Sequence, residues 1–451
     1  MSDSKNDASR LLERDAEVLW HPATHFRDLE RLPVIPVVGA QGCELITEDG
    51  RRILDAISSW WTSIHGHGHP VISEAIAKQA RTLDHVMFAG FTHAPAVDLA
   101  EQLLDLAPAG YGKVFYSDCG SASIEVAMKL SYQSRVQSGQ PGRRRFATLH
   151  NSYHGETMGA LSVCGSDAYR ELFSPLLIDV LYLPGPAIAD HAHAQLGEAE
   201  QLDAAAFDAT CRLLEEHAHE LTAVVVEPLV QCAGKMTMTG SAFYEGLVHK
   251  AQSLGIHVIA DEIAVGFGRT GRLFASDWTD AVPDLLCLSK GLSGGVLPLA
   301  ATLIREGFED DFKGSPSRSF MHSHTYTGNP IACAAGLASL ELLCDEVLPQ
   351  LDQRVELMRR KLEEVRDACP AVVHLRQCGM IGALELAVGP EHPGPTDGRL
   401  GLALREAALS KDLLLRPLHD TVYWMPPLSM SDDEFDRLAT GTIEVIREVL
   451  P

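Results

Sequence analysis

The chain has 451 residues, and its 37 lysines and arginines against 61 aspartates and glutamates give a formal net charge of −24 at pH 7. Hydrophobic residues form 46% and charged residues 22% of the sequence, as in folded globular proteins, so disorder is excluded as the main state. The negative charge argues against a nucleic acid or an anionic membrane as partner, because both bind concentrated basic surfaces. The length predicts about two to three folding units at ~150 residues each.

The targeting signals and cysteines predict a cytoplasmic protein. Residues 1–10 are polar and lack the apolar core of a secretory signal, and no run of about 18 apolar residues predicts a membrane span. The ten cysteines are scattered without a C-x-x-C pair. This spacing favours single thiols in a reducing compartment over a disulfide framework.

In chain order, the first predicted elements are two short antiparallel strands, residues 44–47 and 52–54, joined by a turn at Asp49-Gly50. From residue 71 to about 340, short β-branched runs alternate with longer amphipathic stretches. Strands are predicted at residues 113–117, 223–226, 256–260 and 285–288, and a helix at residues 121–137. Apolar strands separated by helices indicate a parallel sheet covered on both faces.

The C-terminal part predicts a charged helix at residues 351–366 and strands near residues 381–386 and 422–425. We therefore expect an α/β fold whose large domain, residues 71–337, contains a mainly parallel sheet covered by helices. A smaller α+β domain is expected to be built from both termini, residues 1–70 and 338–451.

Two motifs are interpreted as structural. Residues 266–271 match G-x-G-x-x-G, but that pattern binds a dinucleotide only where it joins a strand directly to a helix, and here we predict a loop. His65, His67 and His69 could suggest a metal ion. No carboxylate or cysteine neighbours them, so a structural role is favoured and no metal is predicted.

Three chemical groups are predicted to meet at the carboxyl edge of the sheet. Asp261 ends an apolar strand, where a carboxylate is costly without a partner, and Lys290 follows another strand, where a desolvated amine can act as a nucleophile. Gly120 and Ser121 begin a helix after a strand, which favours either an anion site or a plain helix cap by Ser121. Together these groups predict a pyridoxal phosphate site, although each alone is more often structural.

The segment Ile-Ala-Asp-Glu-Ile-Ala-Val-Gly-Phe-Gly-Arg at residues 259–269, followed by Ser-Lys-Gly at 289–291, resembles the class III aminotransferases of fold type I. The resemblance covers essentially the whole chain and implies pyridoxal 5'-phosphate as cofactor. It implies that Lys290 links to the cofactor and moves the proton, and that Asp261 keeps the pyridine nitrogen protonated. Tyr153 would stack on the ring.

The same resemblance implies that Gly120 and Ser121 hold the cofactor phosphate, and that Thr325 reaches this phosphate from the neighbouring subunit of a homodimer. It also implies a set of substrate-binding residues, in which Arg416 would recognise a carboxylate. These residues are Trp60, Trp61, Tyr153, Arg416 and Tyr423.

Further motifs, at residues 19–22, 58–61, 91–95 and 416–427, resemble class III members that convert 7-keto-8-aminopelargonate to 7,8-diaminopelargonate in biotin biosynthesis. Such members usually take the amino group from S-adenosylmethionine. The sequence departs from their pattern at Ala23, where a substrate-site tyrosine is usual, and also at residues 232–236 and 323–326, which leaves the donor open.

Three alternatives remain at this point. One is a class III ω-amino acid or diamine aminotransferase with pyruvate or a semialdehyde as acceptor. Another is a pyridoxal-phosphate-sensing regulator, but residues 1–60 contain no basic DNA-binding module. The third is a Rossmann dehydrogenase, which the absorbance of a bound cofactor would distinguish.

Overall fold

The computed structural model describes residues 2–185 and 204–451, with only the backbone described for residues 2–9 and 204. The strands are β1 (Val37–Gln41), β2 (Glu44–Thr47), β3 (Arg52–Asp55), β4 (Tyr111–Ser117), β5 (Arg145–Leu149), β6 (Val180–Leu183), β7 (Leu221–Val226), β8 (Val230–Gln231), β9 (Thr237–Met238), β10 (His257–Asp261), β11 (Leu285–Leu288), β12 (Ala300–Arg305), β13 (Val372–Cys378), β14 (Ile381–Leu386), β15 (Leu413–Leu414) and β16 (Thr421–Trp424). The helical segments are α1 (Ser2–Val18), α2 (Asp28–Arg31), α3 (Ser58–Trp61), α4 (Pro70–Thr82), α5 (Ala94–Leu106), α6 (Gly120–Gln137), α7 (Met158–Ser162), α8 (Asp167–Arg170), α9 (Ala204–His217), α10 (Ser241–Ser253), α11 (Pro330–Leu342), α12 (Leu351–Ala368), α13 (Leu400–Ser410) and α14 (Asp432–Val449).

The central sheet has seven strands in the order β4-β12-β11-β10-β7-β5-β6. All its strands are parallel except β12, which is antiparallel to both neighbours. The connection from β11 to β12, residues 289–299, is too short for the helical crossover that a parallel pair requires. Every residue of β7 and β11 is buried, as expected for strands covered on both faces. The predicted mainly parallel sheet is therefore confirmed.

A smaller sheet joins the two ends of the chain. The predicted N-terminal hairpin is confirmed, because β2 and β3 pair antiparallel, and β3 then pairs in parallel with β15 from the C-terminal part. The remaining C-terminal strands form a second antiparallel sheet in the order β13-β14-β16. The division of the chain into domains at residues 70 and 338 stays a prediction.

The topology brings several polar segments to one edge of the central sheet. Residues 118–121 follow β4, Asp261 ends β10, and Lys290 comes two residues after β11. Because these three strands run in the same direction, their carboxyl ends meet at the same edge. Residues 266–271 form a loop, as predicted. In the described part of the chain, no helix combines the length and the apolar character needed to cross a membrane.

Candidate active site

A cavity of about 440 Å³ lies at this carboxyl edge. Six of the residues selected from the sequence line it together: Trp61, Gly120, Ser121, Tyr153, Asp261 and Lys290. The four others, Trp60, Thr325, Arg416 and Tyr423, do not line this cavity.

Asp261 has hydrogen-bond donors for both oxygens of its buried carboxylate. Its Oδ2 lies 2.7 Å from Nδ1 of His154, whose side chain is fully buried, and its Oδ1 accepts from the Ile263 amide at 3.0 Å. The other ring nitrogen of His154 lies 3.3 Å from the Thr148 hydroxyl. The imidazole is therefore held between a hydroxyl and a carboxylate, which fixes the direction of Asp261 and stabilises its negative charge.

Lys290 begins a short 3₁₀ turn with a φ of 45°, directly beyond the end of β11. Its Nζ lies 4.8 Å from the centre of the Trp61 indole ring. Burial lowers the pKa of the Lys290 amine below its ordinary value, and the negative charge of Asp261 opposes this shift. A lysine in such an environment loses its proton more easily and can attack a carbonyl carbon.

The start of α6 forms one polar end of the cavity. Cys119 is the N-cap residue but makes no side-chain capping bond, so this helix start has no acidic or hydroxyl cap of its own. Ser121 Oγ instead accepts a hydrogen bond from the Glu156 amide at 3.3 Å. Ser121 therefore does not cap the helix, which was one of the two interpretations of the sequence. A Cβ on Gly120 would lie 2.8 Å from Ile263, which explains the glycine. An uncapped helix start of this kind favours an anion.

Glu227, the residue directly after β7, also lines the cavity. Its buried carboxylate accepts from the amides of Tyr153 at 3.0 Å and Cys232 at 3.1 Å. Burial raises the pKa of Glu227 to about 7, with His154 lowering it and Asp261 raising it further. Its protonation therefore changes in the neutral range.

Tyr153 lies on one wall of the cavity. Its hydroxyl donates to Glu156 at 2.9 Å, and its ring centre lies 4.9 Å from that of Tyr169. Burial raises the pKa of the Tyr153 hydroxyl above its ordinary value, so the side chain stays neutral at physiological pH. These contacts hold the ring in a fixed orientation beside Asp261 and His154.

Trp60 and Trp61 point to different environments because the backbone of residues 58–61 is left-handed, with φ values of 50°, 45°, 75° and 74°. Four consecutive non-glycine residues in this region are strained and need support from neighbouring groups. The Ser58 hydroxyl donates to the Met425 carbonyl at 2.8 Å and accepts from the buried Arg269 at 2.9 Å. No motif in the sequence indicated this turn.

Beyond this turn, Arg416 and Tyr423 lie on opposite sides of the tryptophan pair. The guanidinium carbon of Arg416 lies 4.6 Å from the centre of the Trp60 ring, and Trp60 is 44% exposed. Tyr423 is buried, and its hydroxyl accepts from the Trp61 indole nitrogen at 3.2 Å. Tyr423 thus positions Trp61 from the core instead of lining the cavity, which differs from the role expected from the sequence.

Thr325 is exposed in this single chain. The neighbouring His324 ties its loop to the cavity edge, with Nδ1 3.0 Å from Oδ2 of Asp118, a lining residue. No motif in the sequence predicts this contact between His324 and Asp118.

Two of the three histidines near the N-terminus, His65 and His67, make ordinary structural contacts. His65 lies 3.0 Å from the Ser339 hydroxyl, and His67 lies 2.9 Å from the Asp55 carboxylate. Within residues 2–185 and 204–451, no group of three metal-ligating side chains is arranged to hold a metal ion.

His154 and Glu227 are the cavity residues that sequence reasoning missed as functional. Asp261 and His154 are 107 positions apart, and only the fold brings them together. Only the positions of these two residues in the sequence indicated a functional role: Glu227 follows a buried strand, and His154 follows Tyr153.

Comparison with known proteins agrees with this site. The family described as Aminotransferase class-III matches residues 27–446, so the chain belongs to the class III aminotransferases and is a transaminase of fold type I.

Individual relatives cover nearly the whole chain. An adenosylmethionine-8-amino-7-oxononanoate aminotransferase from Nitratidesulfovibrio vulgaris is 40% identical over 95% of this chain and 80% of its own length. The crystal structure of an enzyme of the same description from Methanocaldococcus jannaschii is 33% identical, covers 98% and 99% of the two chains, and gives a TM-score of 0.90. An amine transaminase from an uncultivated Pseudomonas species, in its PLP-bound form, is 30% identical over 96% and 99%, with a TM-score of 0.86.

Proposed function

We propose that this enzyme transfers an amino group to 7-keto-8-aminopelargonate and forms 7,8-diaminopelargonate in biotin biosynthesis. Its cofactor is pyridoxal 5'-phosphate and its amino donor is S-adenosylmethionine. The observation that carries the proposal is the cavity in which the Lys290 amine and the His154-supported Asp261 carboxylate meet an uncapped helix start. The names of the relatives support the choice of substrate and donor.

The groups in the cavity fit the cofactor chemically. The start of α6 at Gly120 and Ser121 would hold the phosphate, because amides and a hydroxyl suit an anion. Asp261 would hold the protonated ring nitrogen, and Lys290 would provide the amine that the cofactor carbonyl requires. The volume of about 440 Å³ is that of a small-molecule site.

When bound, pyridoxal phosphate supplies a carbonyl that exchanges amino groups and a ring that accepts electrons. Lys290 Nζ would carry a proton between the substrate carbon that bears the amino group and the carbonyl carbon of the cofactor, in either direction. The Asp261 carboxylate would keep a proton on the ring nitrogen, and His154 holds that carboxylate in place. The Trp61 ring lies against the Lys290 amine.

The residues at the rim of the cavity, Trp60 and Arg416, are suited to an extended acceptor that carries a carboxylate. Trp60 and Trp61 offer apolar surface for a methylene chain, and Arg416, stacked on Trp60, carries a guanidinium suited to a distal carboxylate. Donor and acceptor would occupy the same site in turn, so the site must be permissive.

Two half-reactions test the proposal on the purified enzyme. S-adenosylmethionine should convert the yellow cofactor to its amine form, and 7-keto-8-aminopelargonate should restore the original absorbance. If pyruvate or succinic semialdehyde restores it rapidly and 7-keto-8-aminopelargonate does not, the enzyme is instead an ω-amino acid or diamine aminotransferase.

The same proposal includes a homodimer in which Thr325 serves the partner's cofactor. Thr325 is exposed on a loop tied to the cavity edge, and the large apolar side chains of Phe91, Met321 and Tyr326 are exposed as well. Mixing an inactive Lys290→Ala chain with an inactive Thr325→Glu chain should restore activity, since each hybrid dimer would contain one intact site. A fully active monomer in sedimentation would refute the dimer.

We also place the enzyme in the cytoplasm. All ten cysteines are free, and seven of them are buried, an arrangement that suits a reducing compartment.

A further inference from the structure

A second cavity, of about 680 Å³, lies beside Arg416. Three arginines, Arg399, Arg405 and Arg416, line it with two aspartates, Asp28 and Asp420. Arg399 donates to both oxygens of Asp28 at 2.5 and 2.6 Å, and a lysine amine donates to both oxygens of Asp420 at 2.9 and 3.1 Å. Both carboxylates are therefore already neutralised, and positive charge is in excess around the cavity.

The excess charge belongs to Arg405 and Arg416. Neither forms an ion pair with a carboxylate in the part of the chain that the structure describes. Arg416 Nη2 donates to the Ala23 carbonyl at 3.3 Å, while Arg405 Nε is buried without a hydrogen-bond partner. Burial lowers the pKa of Arg405 and the nearby charge of Arg416 lowers it further, while the negative charge of Asp28 opposes the shift without a direct contact. Two neighbouring cations and an unsatisfied donor are destabilising, and are explained if an anion binds there.

The cavity has room for such an anion because Ala23 is part of its wall. Ala23 has a φ of 48°, an unusual value for alanine, and its carbonyl is the acceptor for Arg416. Its methyl group occupies little of the cavity that Arg405 and Arg416 also line.

The second cavity is connected to the active site through the tryptophan turn. Arg416 stacks on Trp60 at 4.6 Å, and the next residue, Trp61, lines the first cavity and contacts Lys290. A substrate chain that leaves the first cavity past the tryptophan pair would therefore meet Arg416, which lines the second cavity together with Arg405.

We propose that Arg405 is a second cationic anchor, and that Arg405 and Arg416 together bind the terminal carboxylate of an extended substrate. Two guanidinium groups can donate several hydrogen bonds to one carboxylate, which is stronger than a single arginine contact. The identity of the natural substrate rests on the proposed function, whereas the preference for a terminal carboxylate does not.

The test compares two amino donors that differ only in this group, 6-aminohexanoate and hexylamine, in single-turnover reactions of the cofactor-loaded enzyme. Arg405→Gln should raise the KM for 6-aminohexanoate by roughly 10–100-fold, as for loss of hydrogen bonds to a charged group, and should leave hexylamine unchanged. Arg405→Lys should restore part of the preference, because it keeps the charge but not the planar fork. The matched control is Arg399→Gln, which lines the same cavity but is already paired with Asp28 and should behave as wild type.

A binding measurement provides a readout that does not depend on turnover. Sodium heptanoate should raise the Tm of the wild type and of Arg399→Gln, but not that of Arg405→Gln, and heptanamide should raise none of them. Without ligand, the Tm of Arg405→Gln should be unchanged or higher, because a like-charge contact is removed.

Several outcomes would overturn the assignment of Arg405. They are an equal loss for both donors in Arg405→Gln, a retained response to heptanoate in that variant, or no preference for 6-aminohexanoate in the wild type. If the carboxylate preference is present and depends on Arg405 while 7-keto-8-aminopelargonate is not a substrate, the proposed function fails and this inference stands.

Discussion

The inner cavity and its rim are built in different ways. The inner groups, Asp261, His154 and Glu227, are buried, satisfied by hydrogen bonds and attached to the ends of central strands. The rim groups, Trp60 and Arg416, lie on a left-handed turn and a loop and remain partly exposed.

The difference indicates that the inner cavity and its rim have separate functions. Chemistry that needs a fixed carboxylate and a desolvated amine is held by the most rigid part of the fold. Recognition of the substrate chain is left to surface segments, which can differ between related enzymes without disturbing the sheet. The inner groups should therefore control the rate with every substrate, and the rim groups should control only the preference among substrates.

The largest effect is expected for Lys290→Ala, which removes both the nucleophile and the proton carrier. Transamination should fall by roughly 10⁴-fold or more with every donor and acceptor. Borohydride reduction of the wild type should attach the cofactor to the peptide containing Ser289-Lys290-Gly291. Lys235→Ala is the matched control, because Lys235 is bound to Asp420 and lies outside the inner cavity. Label on Lys235 would refute the assignment of Lys290.

Asp261→Asn should have the second largest effect on the rate, because it removes the negative charge without changing the size of the side chain. The half-reaction should slow by roughly 10²–10³-fold for donor and acceptor alike. His154→Gln should slow both in the same direction but less, since it only frees the carboxylate from its 2.7 Å partner. Single-turnover rates equal to those of the wild type in Asp261→Asn would contradict the role of this carboxylate.

Arg416→Ala should produce a smaller and selective effect. The acceptor stage with 7-keto-8-aminopelargonate should weaken by roughly 10–100-fold through KM, whereas the donor stage with S-adenosylmethionine should change little. Stopped-flow absorbance of the two stages measures this directly. Equal losses in both stages would remove the distinction between the cavity and its rim.

The last effect concerns stability and not the reaction, and it comes from Glu227, whose pKa is raised to about 7 by burial. Between its ordinary value of 4.5 and pH 7, the folded chain keeps a proton that the unfolded chain releases. The stabilisation of the folded chain by protonated Glu227 is therefore fully present below pH 4.5. It is lost as the pH rises through 7, which lowers the free energy of unfolding by up to about 3 kcal/mol. Relative to Glu227→Gln, the free energy of unfolding in urea should decline over this window. A difference that is flat with pH would show that Glu227 is charged when folded.

Much of the fold could be predicted because its signals are local. The boundaries of β11 and β14 matched the apolar runs, and α6 began within one residue of its predicted start. The antiparallel β12 was not predicted, because its direction depends on the length of the connection before it and not on its own composition. The turn at residues 58–61 was also missed, since its support comes from Arg269, 211 positions away from Ser58.

The sequence by itself determined that Asp261, Lys290 and Gly120 would share one edge of a sheet. Each stands at or just beyond the end of an apolar strand, and the ends of parallel strands converge whatever the rest of the chain does. Other contacts could be seen only in the folded chain: His154 against Asp261, Tyr423 behind Trp61, and Arg405 beside Arg416 in the second cavity. The first two of those contacts join segments that are far apart in the chain, so their energies depend on burial and distance, which no local pattern of residues encodes.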